Sequence, residues 1–485
     1  MLMNASTVFR MGIGPLLLIT WLPCGPRNDV EAGDWRQFRG PRGGIATDSR
    51  HPRTWGETSG DSEGAAEKQT SNIRWKVPVA GVGWSQPIIH GSRVYVTTAV
   101  ADDQPKPKTG ERGPGFSFFS AEGLSRSLLG GGEPPEDEYT WKLFCFDLRN
   151  GAEVFCKDFH QGRPAIPIHR SNSYASETPV CDDQRLYVYI SAVGLFCFDL
   201  DGQPLWQQDF EPFSTQYGWG CGSSPVLLDD RILIQCDNDD QSFVAAYAKA
   251  TGDQLWKVDR EERSNWSTPH VWRYSTADGH QTTELVTCGG TKYRSYNAET
   301  GKLLWDLPAD GRCATTAVSD NSILVLGSVS RSMGASGRLI GIRPNASGSL
   351  SIEKDATSKS IAWVQRSAAP EIASPLLTDG RIYTLSQQGG IVCCFDAKTG
   401  ERIFRERLPA AGGFTASPWR SGDEVFCLDE NGQTFVLPAN AEFEVLRTNR
   451  LAGMFWSSAA ITDESLILRS VDHLYCIRSA VENRN

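Results

Sequence analysis

The sequence predicts an all-β fold, an eight-bladed β-propeller of four-stranded blades. The first observation behind this prediction is a motif in which a short apolar run ends in Asp, turns through Thr-Gly and enters a second apolar run. It is clearest at Gly390–Phe404. The motif recurs at Leu143–Phe155, Leu195–Trp206, Phe243–Trp256 and Tyr293–Trp305. Repeats of about 40–45 residues with this strand–turn–strand character are typical of propeller blades.

The second observation is a tetrapeptide, usually rich in Ser or Thr, before each predicted innermost strand. We call it a lead-in segment. There are eight: Trp84–Pro87, Ser176–Pro179, Gly222–Pro225, Trp266–Pro269, Ala314–Ala317, Ile372–Pro375, Thr415–Pro418 and Trp456–Ala459. Five of the seven intervals between them are 41 to 48 residues long, close to one blade. The first blade carries an insertion, 101–140, between its second and third strands, and the fifth carries additions at Ser328–Gly337 and Pro344–Ser360.

The third observation concerns the two ends of the repeat array. Asn72–Val79 reads as a single strand with the closing Trp of a blade, but no partner strands precede it. The last repeat, Phe455–Ser479, contains only three strand candidates. We therefore expect the N-terminal strand to complete the C-terminal blade, because this pairing removes two open sheet edges.

Four segments are expected along the chain: a signal peptide or N-terminal anchor (1–33), an extended Gly/Pro/Arg-rich arm (34–71), the propeller (72–480) and a short tail (481–485). Arg10 precedes the apolar run Met11–Leu22, which is too short and too interrupted to span a bilayer and suits a signal peptide. Cys24 suggests lipidation, but Pro23 directly before it argues against processing there. We expect an exported protein of the periplasm or cell envelope, with attachment through the N-terminus left open.

Composition excludes some classes of function. The net charge of −10 argues against nucleic-acid binding, which needs a basic surface. Thirteen cysteines, an odd number, argue against a complete disulfide framework. Four of them occupy the same repeat position and are expected to be small buried hydrophobic residues: Cys145, Cys197, Cys394 and Cys476. The seven histidines show no metal-ligand spacing, and we expect a monomer.

In a propeller, the loops leading into the inner strands and the loops joining strands two and three open on the same side, here named the lead-in face. The turns joining strands one and two lie on the other side, the turn face. Because loops on a rigid scaffold usually carry function, a ligand is expected on the lead-in face. Trp84, Trp219, Trp266 and Trp456 are expected around the channel mouth, where they either stack on a planar ligand or plug the channel.

Polar residues near the lead-in segments complete the candidate set. Glu177 is the only carboxylate within these segments, and Glu371 adjoins another. Asp237–Asp240 offers oxygen ligands suited to calcium, although turn geometry alone also favours Asp and Asn. Arg312 flanks a lead-in segment and could meet an anion. The candidate ligand-binding residues are Trp84, Ser85, Tyr174, Glu177, Trp219, Trp266, Arg312, Glu371 and Trp456; no residue is predicted to be catalytic or a metal ligand.

The repeat N-A-E-T-G-K-L-L-W (Asn297–Trp305) resembles those of the pyrroloquinoline-quinone-type propellers. These include quinoprotein alcohol dehydrogenases and an outer-membrane assembly lipoprotein. The resemblance covers Asn72–Ser479 and is specific for fold rather than activity. Three other stretches are similar to exported propellers of planctomycete-type bacteria: Trp35–Gly43, Gly81–Pro87 and Ser171–Pro179.

The resemblance implies two contrasting functions. A quinoprotein dehydrogenase would hold pyrroloquinoline quinone on a Trp floor beside calcium and a catalytic Asp, often with a disulfide between adjacent cysteines. Cys393 and Cys394 are adjacent but lie inside a repeat strand. We therefore interpret them as ordinary strand cysteines rather than as such a disulfide. The leading hypothesis is a non-enzymatic binding or scaffold module that takes an envelope protein, or an extended polymer such as a glycan. The alternatives are a quinone- and calcium-dependent dehydrogenase of alcohols or sugars, and a carbohydrate-binding propeller.

Overall fold

A computed structural model describes residues 33–57, 70–102, 104, 106, 132–169, 171–276, 278–309, 311, 313–328, 337–352, 359–366, 368, 370–387 and 389–479. The expected signal segment, Arg312, the C-terminal tail and most of the insertion lie outside these residues. Within the described residues, no helix combines the length and apolar character needed to cross a membrane. The only helical element among them is a single 3₁₀ turn, Gln216–Gly218.

The N-terminal region contributes four strands before the first complete blade: β1 (Ile45–Ala46), β2 (Gly56–Glu57), β3 (Thr70–Ser71) and β4 (Ile73–Pro78). Blade one contains β5 (Ile88–His90), β6 (Arg93–Val100), β7 (Tyr139–Asp147) and β8 (Glu153–Gly162). Blade two contains β9 (Val180–Cys181), β10 (Arg185–Ile190), β11 (Gly194–Asp199) and β12 (Pro204–Asp209). Blade three contains β13 (Val226–Leu228), β14 (Arg231–Cys236), β15 (Ser242–Ala248) and β16 (Gln254–Arg260).

Blade four contains β17 (His270–Ser275), β18 (Gln281–Cys288), β19 (Lys292–Asn297) and β20 (Leu303–Pro308). Blade five contains β21 (Val318–Ser319), β22 (Leu324–Ser328) and β23 (Arg338–Ile342), then β24 (Gly348–Ser349), which leaves the blade, and β25 (Ile361–Arg366). Blade six contains β26 (Leu376–Thr378), β27 (Arg381–Leu385), β28 (Ile391–Asp396) and β29 (Arg402–Arg407). Blade seven contains β30 (Trp419–Ser421), β31 (Glu424–Leu428), β32 (Gln433–Pro438) and β33 (Arg447–Arg450). Blade eight contains β34 (Ala460–Ile461), β35 (Leu466–Arg469) and β36 (His473–Ile477).

The fourth strand of blade eight comes from the N-terminal region, as predicted. Strand β4 pairs antiparallel with β36, and Trp75 lies opposite Cys476. The prediction of eight four-stranded sheets is confirmed, with two elaborations. Strand β24, from the expected long turn of blade five, pairs parallel with β20 of blade four. Strands β1 and β2 extend the sheet of blade seven at its inner and outer edges.

In blade one, β6 ends at Val100 and β7 begins at Tyr139, and most of the expected insertion 101–140 lies outside the described residues. Tyr139 is buried and packs edge-on against Tyr174, with ring centroids 5.0 Å apart. The strand therefore starts where the chain returns to the core.

The glycine of the repeated turn, which follows Thr, Asn or Asp, allows close packing between blades. The outermost strand of one blade places a Trp or Phe over the turn glycine of the next blade. The aromatic–glycine pairs are Trp75–Gly151, Phe155–Gly202, Trp206–Gly252, Trp256–Gly301 and Trp363–Gly400. A Cβ on any of these glycines would lie only 2.5 to 2.8 Å from the ring. Each of them also has a positive φ, between 72° and 79°. Glycine therefore both leaves room for the ring and adopts this backbone conformation without strain.

The repeat aspartates hold turns, and the repeat cysteines are buried, as predicted for the cysteines. Asp396 Oδ1 accepts hydrogen bonds from the backbone N–H groups of Lys398 (2.9 Å) and Thr399 (2.8 Å) and holds the turn. The four equivalent cysteines are buried free thiols whose pKa burial raises to about 12. Cys393 and Cys394 are also free, and Cys394 contributes to a core cluster.

The arm lies against the inner strands from the turn face. The backbone groups of Trp35 and Ile89 in blade one exchange two 2.9 Å hydrogen bonds, and Arg36 O accepts from Cys181 N in blade two at 3.0 Å. Ile45 then lies opposite Arg420 in the parallel pairing of β1 with β30 in blade seven. The arm thus provides hydrogen-bond partners for backbone groups at the inner edges of three sheets, which would otherwise lack them.

Candidate functional site

Hydrogen bonds connect most neighbouring lead-in segments. In six of the eight, the third residue donates its backbone N–H to the side-chain hydroxyl of the third residue in the next segment. Six such bonds of 2.9 to 3.0 Å are present: Gln86 to Thr178, Thr178 to Ser224, Ser224 to Thr268, Thr316 to Ser374, Ser374 to Ser417 and Ser417 to Ser458. We call this set the hydroxyl relay. It gives a structural reason for the Ser and Thr content of these segments.

Between blades eight and one, the relay residue is Gln86, which has no hydroxyl. Its side-chain Nε2 donates to Ala459 O, and its Oε1 accepts from Arg39 N at 2.7 Å. Ser457 Oγ adds a 3.2 Å bond to Ser85 O. The longer amide therefore connects the last blade to the first and also fastens the arm.

The predicted candidate Ser85 is fully buried beside a guanidinium group. Arg469 Nη1 donates to Ser85 Oγ (2.6 Å) and Ser85 O (2.8 Å), while its Nη2 donates to Thr97 O (3.0 Å). Burial lowers the pKa of Arg469 to about 9. A side chain on Gly83 would meet this group, since its Cβ would lie 2.6 Å from Nη2. Ser85 thus joins blades eight and one in this structure.

The four predicted tryptophans form two pairs rather than one ring. Trp84 and Trp456 pack together with ring centroids 4.6 Å apart and an interplanar angle of 49°. Trp456 is only 6% exposed and belongs to a small core with Met454 and Val471. This pair therefore packs at the junction of blades eight and one.

The second pair belongs to a larger aromatic surface, here named the aromatic platform and defined as His169, Tyr217, Trp219 and Trp266. Ring centroids of Trp219 lie 5.7 Å from Trp266, 5.4 Å from Tyr217 and 5.8 Å from His169. All four side chains are half-buried. The platform therefore presents contiguous apolar surface together with polar ring edges on the lead-in face.

Backbone hydrogen bonds fix the platform. Asn172 Nδ2 donates to Trp219 O (2.8 Å) and Cys221 O (2.9 Å). Trp266 Nε1 donates to Gly220 O at 2.7 Å. Tyr217 lies in the left-handed region at φ 51°, a conformation that is costly for a non-glycine residue and that puts its ring against Trp219. Sequence patterns identified Trp266, which begins a lead-in segment, and Trp219, three residues before one, but missed His169 and Tyr217, which lie further from these segments.

A small cavity of about 30 Å³ lies beside the platform, between blades one and two. Its lining includes the predicted residues Tyr174 and Glu177, together with Ile168 and Cys221 from the loops that carry the platform. Space of this size holds about two water molecules. The cavity can thus hydrate the buried carboxyl group but cannot hold an organic ligand in this conformation.

Glu177 is 3% exposed, and its Oε1 accepts from Ser191 Oγ (2.8 Å) and Ser191 N (3.1 Å). Burial raises its pKa, and the hydrogen bonds from Ser191 offset only part of this effect. Tyr174 donates its hydroxyl to Ile166 O at 3.0 Å. Glu371 is half-buried in another part of the lead-in face, and Arg312 lies outside the described residues.

The residues implied for a calcium-bridged quinone do not come together in the described part of the chain. No group of three or more His, Cys, Asp and Glu side chains there could hold a metal ion. Within Asp237–Asp240, Asp239 Oδ1 accepts from Ser264, and Asp240 Oδ2 accepts from Ser214 N at 2.6 Å. Asp237 forms a buried ion pair with Arg260, N to O 3.1 Å. The structure gives these carboxylates internal roles, and they do not fit the cation site.

Comparison with solved structures supports the architecture. The fold is similar to quinohemoprotein alcohol dehydrogenase of Comamonas testosteroni, with a TM-score of 0.56, 9% identity and coverage of 93% of this chain and 82% of that one. A europium-containing methanol dehydrogenase gives a TM-score of 0.52 at 10% identity, covering 83% and 85% of the two chains. At these identities the similarity establishes the fold alone.

Sequence comparison identifies the family. Residues 142–271 and 195–440 match the family described as outer membrane protein assembly factor BamB. The protein of that name from Burkholderia pseudomallei strain K96243 is 24% identical over 216 residues, 41% of this chain and 50% of the relative. The chain therefore spans about half the length of this curated relative. The family matches extend over more than half of the chain. The chain therefore belongs to the pyrroloquinoline-quinone-type propeller family described as outer membrane protein assembly factor BamB.

Proposed function

We propose that this protein is a non-enzymatic binding module of the cell envelope, exported to act there, that receives a protein partner on its lead-in face. The observation that carries the proposal is the aromatic platform. Its Tyr and Trp side chains offer large, rigid, amphipathic contact area, the kind that dominates binding energy at protein interfaces. The relative named as an assembly factor supports a binding role over an enzymatic one.

An extended polypeptide segment suits this surface. The platform is held by backbone and side-chain hydrogen bonds, so a partner loses little free energy in ordering it. Asp239 and Asp240 are exposed on the loop that adjoins the 3₁₀ turn, where Asp239 N donates to Ser214 O at 2.9 Å. Apolar rings beside acidic side chains favour a segment that combines aromatic or aliphatic residues with Lys or Arg.

The direct test places a photo-crosslinking amino acid at Tyr217 in cells and identifies the captured protein by mass spectrometry. We expect an envelope protein whose capture falls at least tenfold in Trp219→Ala and Trp266→Ala variants. The control is Leu205→Ala on β12, the outer strand of blade two, where Leu205 is 49% exposed. Equal capture by all variants would place the partner elsewhere and contradict the proposal.

Carbohydrate binding is the second candidate, because the Trp219–Trp266 pair could also receive a sugar ring. A panel of envelope glycans tested by tryptophan fluorescence separates the two functions. A saturable change that disappears in Trp266→Ala, without any protein captured at Tyr217, would favour the glycan.

The dehydrogenase alternative has a separate test. Purified protein incubated with pyrroloquinoline quinone and calcium is expected to retain no stoichiometric quinone absorbance after gel filtration and to reduce no dye with alcohols or sugars. Stoichiometric retention together with alcohol-dependent dye reduction would replace the binding hypothesis with an enzymatic one.

A further inference from the structure

A second feature, independent of the aromatic platform, is the guanidinium group of Arg39 in the N-terminal arm. Arg39 follows the segment that pairs with blades one and two and precedes β1, which pairs with blade seven. Its backbone N–H donates to Gln86 Oε1 of the lead-in segments. Arg39 therefore lies in the central channel, the space enclosed by the inner strands.

No side chain among the described residues compensates the charge of Arg39. The residue is only 4% exposed, and its Nε and Nη2 have no hydrogen-bond partner among the described residues. Burial lowers its pKa to about 9, and no carboxylate there offsets this effect. The equally buried Arg469 instead donates to Ser85 and Thr97. Arg36, three residues earlier, has two carboxylate partners, Asp34 and Asp183.

The unsatisfied atoms form one edge of the guanidinium plane. Nε and Nη2 present two nearly parallel N–H groups, the arrangement that binds two oxygen atoms of a carboxylate, phosphate or sulfate. Glycine keeps the adjacent backbone small, since a Cβ on Gly44 would lie 3.2 Å from Nη2. Across the channel, burial and the positive charge of Arg39 lower the pKa of His270 to about 4, so His270 is neutral near pH 7 and does not compete for an anion.

We propose that Arg39 binds a small oxyanion inside the propeller through its Nε and Nη2 edge. An unpaired buried charge is strongly destabilising, and a bidentate anion supplies both the missing charge and the missing acceptors. The shared chemistry is that of two oxygens on one centre, as in a free carboxylate or an inorganic phosphate or sulfate. Because the arm carries Arg39, bound anion also stabilises the arm in the channel.

The test measures urea unfolding of the chain after dialysis into chloride. Formate, acetate, phosphate and sulfate are added separately at millimolar concentration and constant ionic strength. We expect one class to raise the unfolding midpoint with a saturable dependence, since a ligand that binds only the folded state stabilises it in proportion to ln(1 + [L]/Kd). Formate and acetate as the active class would identify a carboxylate site, and phosphate and sulfate an inorganic oxyanion site. Arg39→Met is expected to abolish the response.

Two further variants keep the test decisive. Arg469→Met removes a buried arginine whose donors are already used, so it should lower stability yet retain the full anion response. Arg39→Lys keeps the positive charge but lacks the planar guanidinium, so its apparent affinity for the anion should be at least tenfold weaker than that of wild type. This variant provides the comparison if Arg39→Met does not fold. The proposal is wrong if wild type shows no saturable response, or if wild type, Arg39→Met and Arg39→Lys respond alike.

Discussion

The buried carboxyl group of Glu177 shows how one residue in a lead-in segment can serve structure and still titrate. Its oxygen holds Ser191 at the edge of a small cavity, and no Lys or Arg side chain among the described residues lies against it. Burial raises its pKa, so the folded state binds the proton more tightly than the unfolded state does. Its contribution to stability is therefore present below the unfolded-state pKa and lost as pH rises through the folded-state pKa.

Glu177→Gln should remove this pH-dependent loss. Glutamine keeps an acceptor for Ser191 without a charge, so the variant should be more stable than wild type near pH 8. The difference should shrink as pH falls towards the unfolded-state pKa of the carboxyl group. Urea unfolding of both proteins between pH 4.5 and 8 measures it. A difference that does not change with pH would contradict this account of Glu177.

The hydroxyl relay makes a prediction about two adjacent serines. Ser224→Ala removes the acceptor of Thr178 N, leaves a buried N–H unsatisfied and should cost about 1–3 kcal/mol. Ser223 is equally buried, but its Oγ has no partner among the described residues, so Ser223→Ala should change stability by less than about 0.5 kcal/mol. Equal losses in the two variants would show that the relay bond contributes nothing specific.

Residue roles were the part of the site that sequence predicted least well. The pattern located Ser85, Glu177 and three of the tryptophans, since each stands in a lead-in segment, and it located Trp219 three residues before one. It could not show that Ser85 would meet Arg469, 384 residues away, or that Trp84 would pair with Trp456. Those contacts depend on which blades become neighbours and on the closing junction. Tyr217 and His169 lie on loops without periodicity, so no sequence signal marked them.

At the scale of strands and turns, the repeat was informative because its spacing is imposed by packing. An aromatic residue on one outer strand and a glycine in the next turn meet five times in the described structure. Period and turn chemistry therefore predicted the blades and their order. Strand β24 escaped prediction, since a two-residue strand across an inter-blade boundary has no pattern of its own.

Gly252→Ala should test the packing of Trp206 on this turn. The added Cβ would lie 2.6 Å from the indole, and φ is 79°, so overpacking of about 1–3 kcal/mol adds to a backbone cost of about 1 kcal/mol. Gly380→Ala is the matched control, with φ 69° and nothing within 4 Å of the new Cβ. Thermal unfolding measures the stability of both variants, and the difference between them gives the cost of the contact between the new Cβ and the Trp206 indole. A loss in Gly252→Ala no larger than in the control would contradict the packing role.

For the whole molecule, the N-terminal region acts as a separate part that completes blade eight. Coexpressed fragments 33–80 and 81–485 should associate into a complex. The unfolding temperature of this complex should be close to that of the intact protein. Fragment 81–485 alone exposes the edge of β36 and the inner strands, so it should self-associate. Size-exclusion chromatography with light scattering measures both states. A monomeric 81–485 fragment with the stability of the intact chain would show that β4 and the arm are dispensable.

The position of the arm also determines when the protein can fold. Ser49 bonds to the carbonyl of Asp463, 414 residues further along the chain, and β4 finds its partner only in the last strand. Pairings this remote in sequence are slow to form, because a long loop must be ordered before they contribute any stability. The first blade-forming strand to leave the ribosome is thus among the last to find its place. Blade eight therefore cannot be completed until β36 has been synthesised, so closure of the ring is a late event even if single blades form earlier.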